Sequence, residues 1–117
     1  MIRLENATHT AQSADEAHSL CREGWVVTLI GRSVDGDSFI MRRLRPETDA
    51  DNEQIFAIAG ELAANELVML GRVQTVCHPV QTRKLFRAGC VCTSVHYTAA
   101  DGSAAAWTFA PLTVYEI

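Results

Sequence analysis

The chain has 117 residues, of which 48 % are apolar and 21 % charged, and its formal net charge is −4. That balance excludes a disordered or low-complexity polypeptide and fits one domain, residues 1–117, built around one core. With Lys84 as the only lysine and acidic residues in excess, a broad electrostatic grip on nucleic acid is not expected, although "MRRLR" (41–45) and "TRKLFR" (82–87) form local basic clusters.

The opening segment "MIRLENATHT" lacks the basic-then-apolar order of a secretory signal, and no apolar run approaches the ~20 residues of a membrane span. A cytoplasmic protein with no membrane partner and no direct nucleic-acid contact is expected. Residues 2–5, "IRLE", alternate apolar and charged and predict a short first strand. "SADEAHSLCREG" (13–24) predicts a helix. Ser13 and Glu16 have capping-box spacing, Gly24 supplies a left-handed stop, and Ala14, Ala17, Leu20 and Cys21 form a small-residue inner stripe.

"WVVTLIGRSVDGDSFIMRRLR" (25–45) predicts a β-hairpin turning at Asp35-Gly36, with Gly31 as a bulge and Pro46 as its end. The stretch "DADNEQIFAIAGELAANELVMLG" (49–71) then reads as one long helix over 52–70, with Asp51 and Gln54 at capping-box spacing and Gly71 as its stop. "RVQTVCHP" (72–79) is open between strand and loop, and "VQTRKLFRAG" holds a helical turn. The last segment predicts a second hairpin, "CVCTSVHYT" and "AAAWTFAPLTVYEI" flanking Asp101-Gly102. Trp107 and Phe109 share a face there, and Pro111 marks an edge or a bulge. No internal repeat stands out. The expected fold class is α+β, an antiparallel sheet built from two β-hairpins plus the short N-terminal strand, with two main helices packed on one face.

Chemical motifs are sparse. Cys21, Cys77, Cys90 and Cys92, with His18, His78 and His96, include ligand types suited to zinc, but no CxxC pair exists and Cys90-x-Cys92 alone is a weak signal. Buried thiols and incidental histidines account for them better, so no metal and no cofactor is expected. A nucleophilic pair of Cys77 or Cys92 with His96 would need an activated thiolate and an orienting third group. There is no G-x-S-x-G elbow, P-loop or dinucleotide fingerprint. Asp35 and Asp37 mimic a carboxylate pair but fit turn chemistry better, and Arg42, Arg43 and Arg45 allow a phosphate-binding reading but fit better a solvated strand end that discourages aggregation. No catalytic residue is assigned, and the chain is read as a non-enzyme.

On a wheel, helix 52–70 carries two apolar ridges. Ile55, Ile58, Leu62 and Met69 form one; Phe56, Ala59, Ala63, Leu67 and Leu70 form the other, with Glu66 between them and Ala57, Gly60 and Ala64 as a small-residue strip. One ridge packs on the sheet. The second is covered from within, by the first helix or the 72–88 segment, or by a symmetry mate, or by another protein. The apolar C-terminus, Leu112, Val114, Tyr115 and Ile117, points towards another chain. The expected protein interface therefore comprises Phe56, Gly60, Ala63, Leu67, Leu112, Val114, Tyr115 and Ile117, and a charged residue at Leu67 or Ile117 is expected to weaken assembly while sparing the fold.

The size, acidic balance, hairpin–helix–hairpin order, apolar 52–70 segment and "LTVYEI" ending resemble the small QslA-type quorum-sensing antiactivators of pseudomonads. That resemblance implies transcription regulation by a non-enzymatic homodimer. It would bind the ligand-binding domain of a LuxR-type transcription factor and block the dimerisation needed for DNA binding. It carries over no individual residues. The alternative expectation is a small-molecule-binding or enzymatic α+β domain, with a pocket between sheet and helix near Cys92, His96 and Trp107.

Overall fold

The computed structural model describes residues 2–62, 65–98 and 100–116. Among them the order is β1 (Ile2–Ala11), α1 (Ala14–Arg22), β2 (Trp25–Ser33), β3 (Gly36–Pro46), α2 (Asp49–Gly60), β4 (Glu66–Leu70), β5 (Gln74–Val76), α3 (Pro79–Arg87), β6 (Cys90–Tyr97) and β7 (Ala104–Glu116). The class is α+β. The sheet has seven strands and is mixed, where a purely antiparallel one was expected, and three helices accompany it. No helix among the described residues is long and apolar enough to cross a membrane.

Local signals explain the parts that match. Ser13 Oγ accepts from the amide of Glu16 at 3.1 Å, and Gly24 ends the segment at φ +95°. Ala17 and Cys21 are buried, with Ala14 and Leu20 packed against the same core. The two hairpins are present, β2–β3 and β6–β7. The second turn is tied by Asp101, whose Oδ1 accepts from Thr98 Oγ1 at 2.5 Å, Ser103 Oγ at 2.6 Å and the Ser103 amide at 2.8 Å. Those bonds hold its carboxyl at a pKa of about 2, the Ser103 hydroxyl contributing most.

Several expectations are corrected. The first strand runs ten residues, and it is long because β3 pairs with it from Ile2↔Pro46 to Ala11↔Phe39. The bulge in β2 falls at Thr28, between Val27 and Leu29, whereas Gly31 pairs regularly with Ser38; a Cβ on Gly31 would lie 2.8 Å from Ser38 Oγ. The cap of α2 is Thr48, not Asp51: Thr48 Oγ1 accepts from the Asp51 amide and Asp51 Oδ2 accepts from the Thr48 amide. A full helix, α3, stands where only a helical turn was expected. It is capped by His78, whose Nδ1 accepts from the Val80 amide, with Pro79 in its first turn.

The largest correction concerns the long helix. It ends at Gly60, and residues 66–70 form β4, antiparallel to the end of β7 with Leu67↔Tyr115 and Val68↔Val114. Leu67 and Val68 are adjacent and both buried, so this strand is covered on both faces. The two-ridge wheel therefore does not exist beyond Gly60. Ile55 and Leu62 of the first ridge are buried, and so is Ala59 of the second. Leu67 is covered wholly by its own chain, so a charge placed there would be buried in the core.

The sheet also contains a structural repeat, although no internal repeat stands out in the amino-acid sequence. In the first half β1 and β2 both pair antiparallel with β3; in the second, β4 with β5, and β6, pair antiparallel with β7. The first half is strand–helix–strand–strand, the second follows the same order with β5 added before its helix, and α2 joins them. "LCREGWVVT" (20–28) and "LFRAGCVCT" (85–93) share Leu, Arg, Gly, Val and Thr at every second position. Gly24 and Gly89 both have positive φ, +95° and +87°. Thr28 Oγ1 donates to the Ile40 carbonyl and Thr93 Oγ1 to the Thr108 carbonyl, each inside a matching bulge.

Among the described residues the halves are joined by one parallel pair at each seam, Arg3↔Cys92 between β1 and β6 and Val27↔Met69 between β2 and β4. Strand order thereby returns on itself through β4, β2, β3, β1, β6 and β7, with β5 outside the ring. Val26 and Val27 are both buried, as are their counterparts Val91 and Cys92, so both faces of the middle strands are covered. Cys92, Phe109 and Val76 form a smaller core under α3, where the Phe86 and Phe109 rings meet edge to face at 4.8 Å.

The duplication predicts matched but unequal glycine effects. Gly24→Ala and Gly89→Ala both force a side chain into the left-handed region, at about 1 kcal/mol each. A Cβ at 24 also meets Ile55 Cγ2 at 3.1 Å, while one at 89 meets nothing. Thermal unfolding should show a fall of about 4 °C for Gly89→Ala and a larger one for Gly24→Ala.

Candidate functional site

At the β1–β6 seam the strands make the single pair Arg3↔Cys92, and beside it lies a cleft of about 390 Å³. Its lining comes from Arg3 to Asn6 on β1, Arg45 on β3, and Cys92 to Val95 with Tyr97 on β6. The cleft lies between strands of the two halves, not between sheet and helix as the alternative expectation had it. Cys92 lines it; His96 and Trp107 do not.

The β1 wall is shaped by a bulge. Register with β3 jumps between Leu4↔Leu44 and Thr8↔Arg42, so Glu5, Asn6 and Ala7 have no ladder partner. Arg42 staples this loop-out: its Nε donates to the Glu5 carbonyl at 2.6 Å, and a terminal nitrogen donates to Asn6 Oδ1 at 3.4 Å. One arginine from the "MRRLR" cluster thus builds the site instead of decorating a solvated edge. No sequence signal marks it, because the bulge exists only once β1 and β3 are paired.

A second arginine pair forms the cleft's charged wall. Arg3 and Arg45 are direct cross-strand partners, so their side chains leave the sheet on the same face. Arg3 Nε is buried and lies 3.0 Å from Glu47 Oε1, within ion-pair reach but outside hydrogen-bond alignment. Arg45 is exposed and has no carboxylate partner among the described residues. Glu5 also lines the cleft, so both signs are present.

The nucleophile candidates are placed poorly for catalysis. Cys92 is 2 % exposed, its Sγ donates to the Ser94 carbonyl at 3.5 Å, and burial pushes its thiol up, against the direction an attacking thiolate needs. The Cys21 thiol is also raised by burial. His96 Nε2 lies 3.1 Å from Ser94 Oγ and 3.2 Å from Thr108 Oγ1, an exposed polar chain on β6 and β7. Among the described residues no three His, Cys, Asp or Glu side chains converge as metal ligands.

The residues expected at a protein interface are scattered. Phe56 on α2 is 59 % exposed, beside a hollow shared with Glu5, Arg43 and Asn52, and Gly60 at the helix end is exposed too. Leu67 is internal. Leu112 is half-buried and pairs with Leu70, while Val114 and Tyr115 remain on the surface. The Tyr115 hydroxyl accepts from an Arg32 terminal nitrogen at 3.3 Å. Ala63 and Ile117 lie outside the described residues.

The thiols give a direct check on this geometry. Alkylation of the native protein, read by mass spectrometry, should modify exposed Cys77 rapidly and leave Cys21 and Cys92 protected until unfolding. Comparison with protein-family models, with curated proteins and with solved structures finds no match to this chain.

Proposed function

We propose that this chain is a non-catalytic binding protein whose site is the cleft between its two halves, taking a small molecule against the β1 bulge and the β6 edge. The observation that carries this reading is the stapled bulge. Arg42 spends its guanidinium holding Glu5 and Asn6 out of the ladder, and both residues line the cleft. A volume of about 390 Å³ falls within the range of metabolite sites. The walls offer arginine, carboxylate, amide, hydroxyl and phenol groups, enough to orient a polar ligand, whereas the buried Cys92 thiol and exposed His96 favour binding over turnover.

Titration of the full chain with a metabolite panel, followed by amide NMR, should shift Leu4, Glu5, Ser94, Val95 and Tyr97 first. If no compound moves these amides, the reading falls.

A second reading, the regulatory homodimer that binds a LuxR-type transcription factor, is favoured by the exposure of Phe56 and Val114. Such a protein would act by competition, burying its partner's own assembly surface. Under it the wild type sediments as a dimer, and Phe56→Glu or Val114→Glu sediments as a monomer with little change in melting temperature. A wild-type monomer across the accessible concentration range removes the homodimer.

A further inference from the structure

We infer that the cleft takes a small organic anion, whose carboxylate or phosphate lies against Arg3 and Arg45. This rests on the cleft being a ligand site, as proposed above, and names the chemistry of that ligand.

The inference stands on a control built into the fold. Like charges directly opposite one another across antiparallel strands are destabilising. Arg3↔Arg45 is such a pair, in the ladder that carries the first half. Its counterpart in the second half is Met69↔Thr113. The assignment follows from the seams, because Arg3 pairs with Cys92 while Met69 pairs with Val27, and Cys92 and Val27 are matched positions of the repeat. The same scaffold position therefore accepts a neutral pair, so the architecture does not require two arginines there.

The surrounding protein offsets only one of them: Glu47 lies 3.0 Å from Arg3, whereas Arg45 has no carboxylate partner among the described residues. Arg42, a third cation at the rim, is committed to the Glu5 carbonyl and Asn6. Glu5 is the one carboxylate among the lining residues. An oxyanion placed between the two guanidinium groups would relieve their repulsion and accept charge-assisted hydrogen bonds from Arg45. Leu4, Val95 and the Tyr97 ring supply the apolar contacts for the rest of the molecule.

The seams differ at one further position in the same sense: Ser94 of the cleft stands where the other seam has Leu29, while Val95 matches Ile30 and Tyr97 stands where the other seam has Arg32.

The test uses the full chain with inorganic phosphate and benzoate as probes, and benzamide and benzylamine as neutral and cationic counterparts at matched ionic strength. Phosphate or benzoate should shift the amides of Leu4, Ser94 and Tyr97 and raise the melting temperature above the chloride control. Arg45→Thr, which installs the residue type found in the other half, should bind the anion about tenfold more weakly or worse. It should also melt no lower than the wild type without ligand, since a repulsion has been removed. Arg3→Met provides the same comparison from the other strand. The inference is overturned if both anions leave the cleft amides unmoved, or if Arg45→Thr and Arg3→Met bind them as the wild type does. Should benzamide or benzylamine move those amides while the anions do not, the cleft remains a ligand site and only its anion chemistry is lost. Silence from all four probes, followed by silence across the metabolite panel, removes both.

Discussion

Everything in this structure depends on how two half-sheets complete each other. The first half is three antiparallel strands with a helix and the second is four with a helix, and a sheet of that size leaves edges open to solvent. Here the first strand of each half meets the middle strand of the other, at Arg3↔Cys92 and at Val27↔Met69. Closing both seams removes edges and shares the core: Val91 of the second half is buried in the same cluster as Val26, Leu4 and Met41 of the first. β7 makes this possible by running 13 residues and changing company near Pro111, with β6 and β5 beside its first part and β4 beside its last.

Parallel pairing holds slightly less tightly than the antiparallel ladders around it. The cleft lies beside one of the two parallel seams, at Arg3↔Cys92. Its chemistry does not follow from the architecture, since the matched seam carries methionine, threonine and leucine where the cleft carries Arg3, Arg45 and Ser94. A duplicated scaffold separates the two demands: what both halves share serves folding, and what only one half has is free to serve binding. Gly24 and Gly89, Val26 and Val91, and Thr28 and Thr93 belong to the first group. Arg3, Arg45 and the stapled bulge belong to the second.

The same contrast explains which features the amino-acid sequence made legible. Ser13 with Glu16, Gly24 and the Asp101-Gly102 turn act over three or four residues, and their physics is complete before the chain folds. The Leu-Arg-Gly-Val-Thr repeat was also present to be read, but its spacing of every second residue runs across a helix end, a turn and a strand, so it follows no single periodicity. Residues 66–70 are the opposite case. "ELVML" following an alanine-rich run satisfies a helical wheel as well as it satisfies a strand, and periodicity over five residues cannot separate the two. Pairing with Leu112 to Glu116 decides it, far along the chain. The excess apolar surface that had suggested a partner along a long helix is, for Leu67 and Val68, the two-sided burial of a strand.

By itself, then, the sequence determined the α+β class, the two hairpins, the first helix with its cap, and the absence of a recognisable catalytic motif. Each depends on propensity and spacing within one element. Only the tertiary structure decided the closed, mixed sheet, the conversion of 66–70 to a strand, and the facing of Arg3 against Arg45 beside a bulge held by Arg42. Those depend on register between strands distant in the chain, and a shift of one residue would send every side chain to the other face.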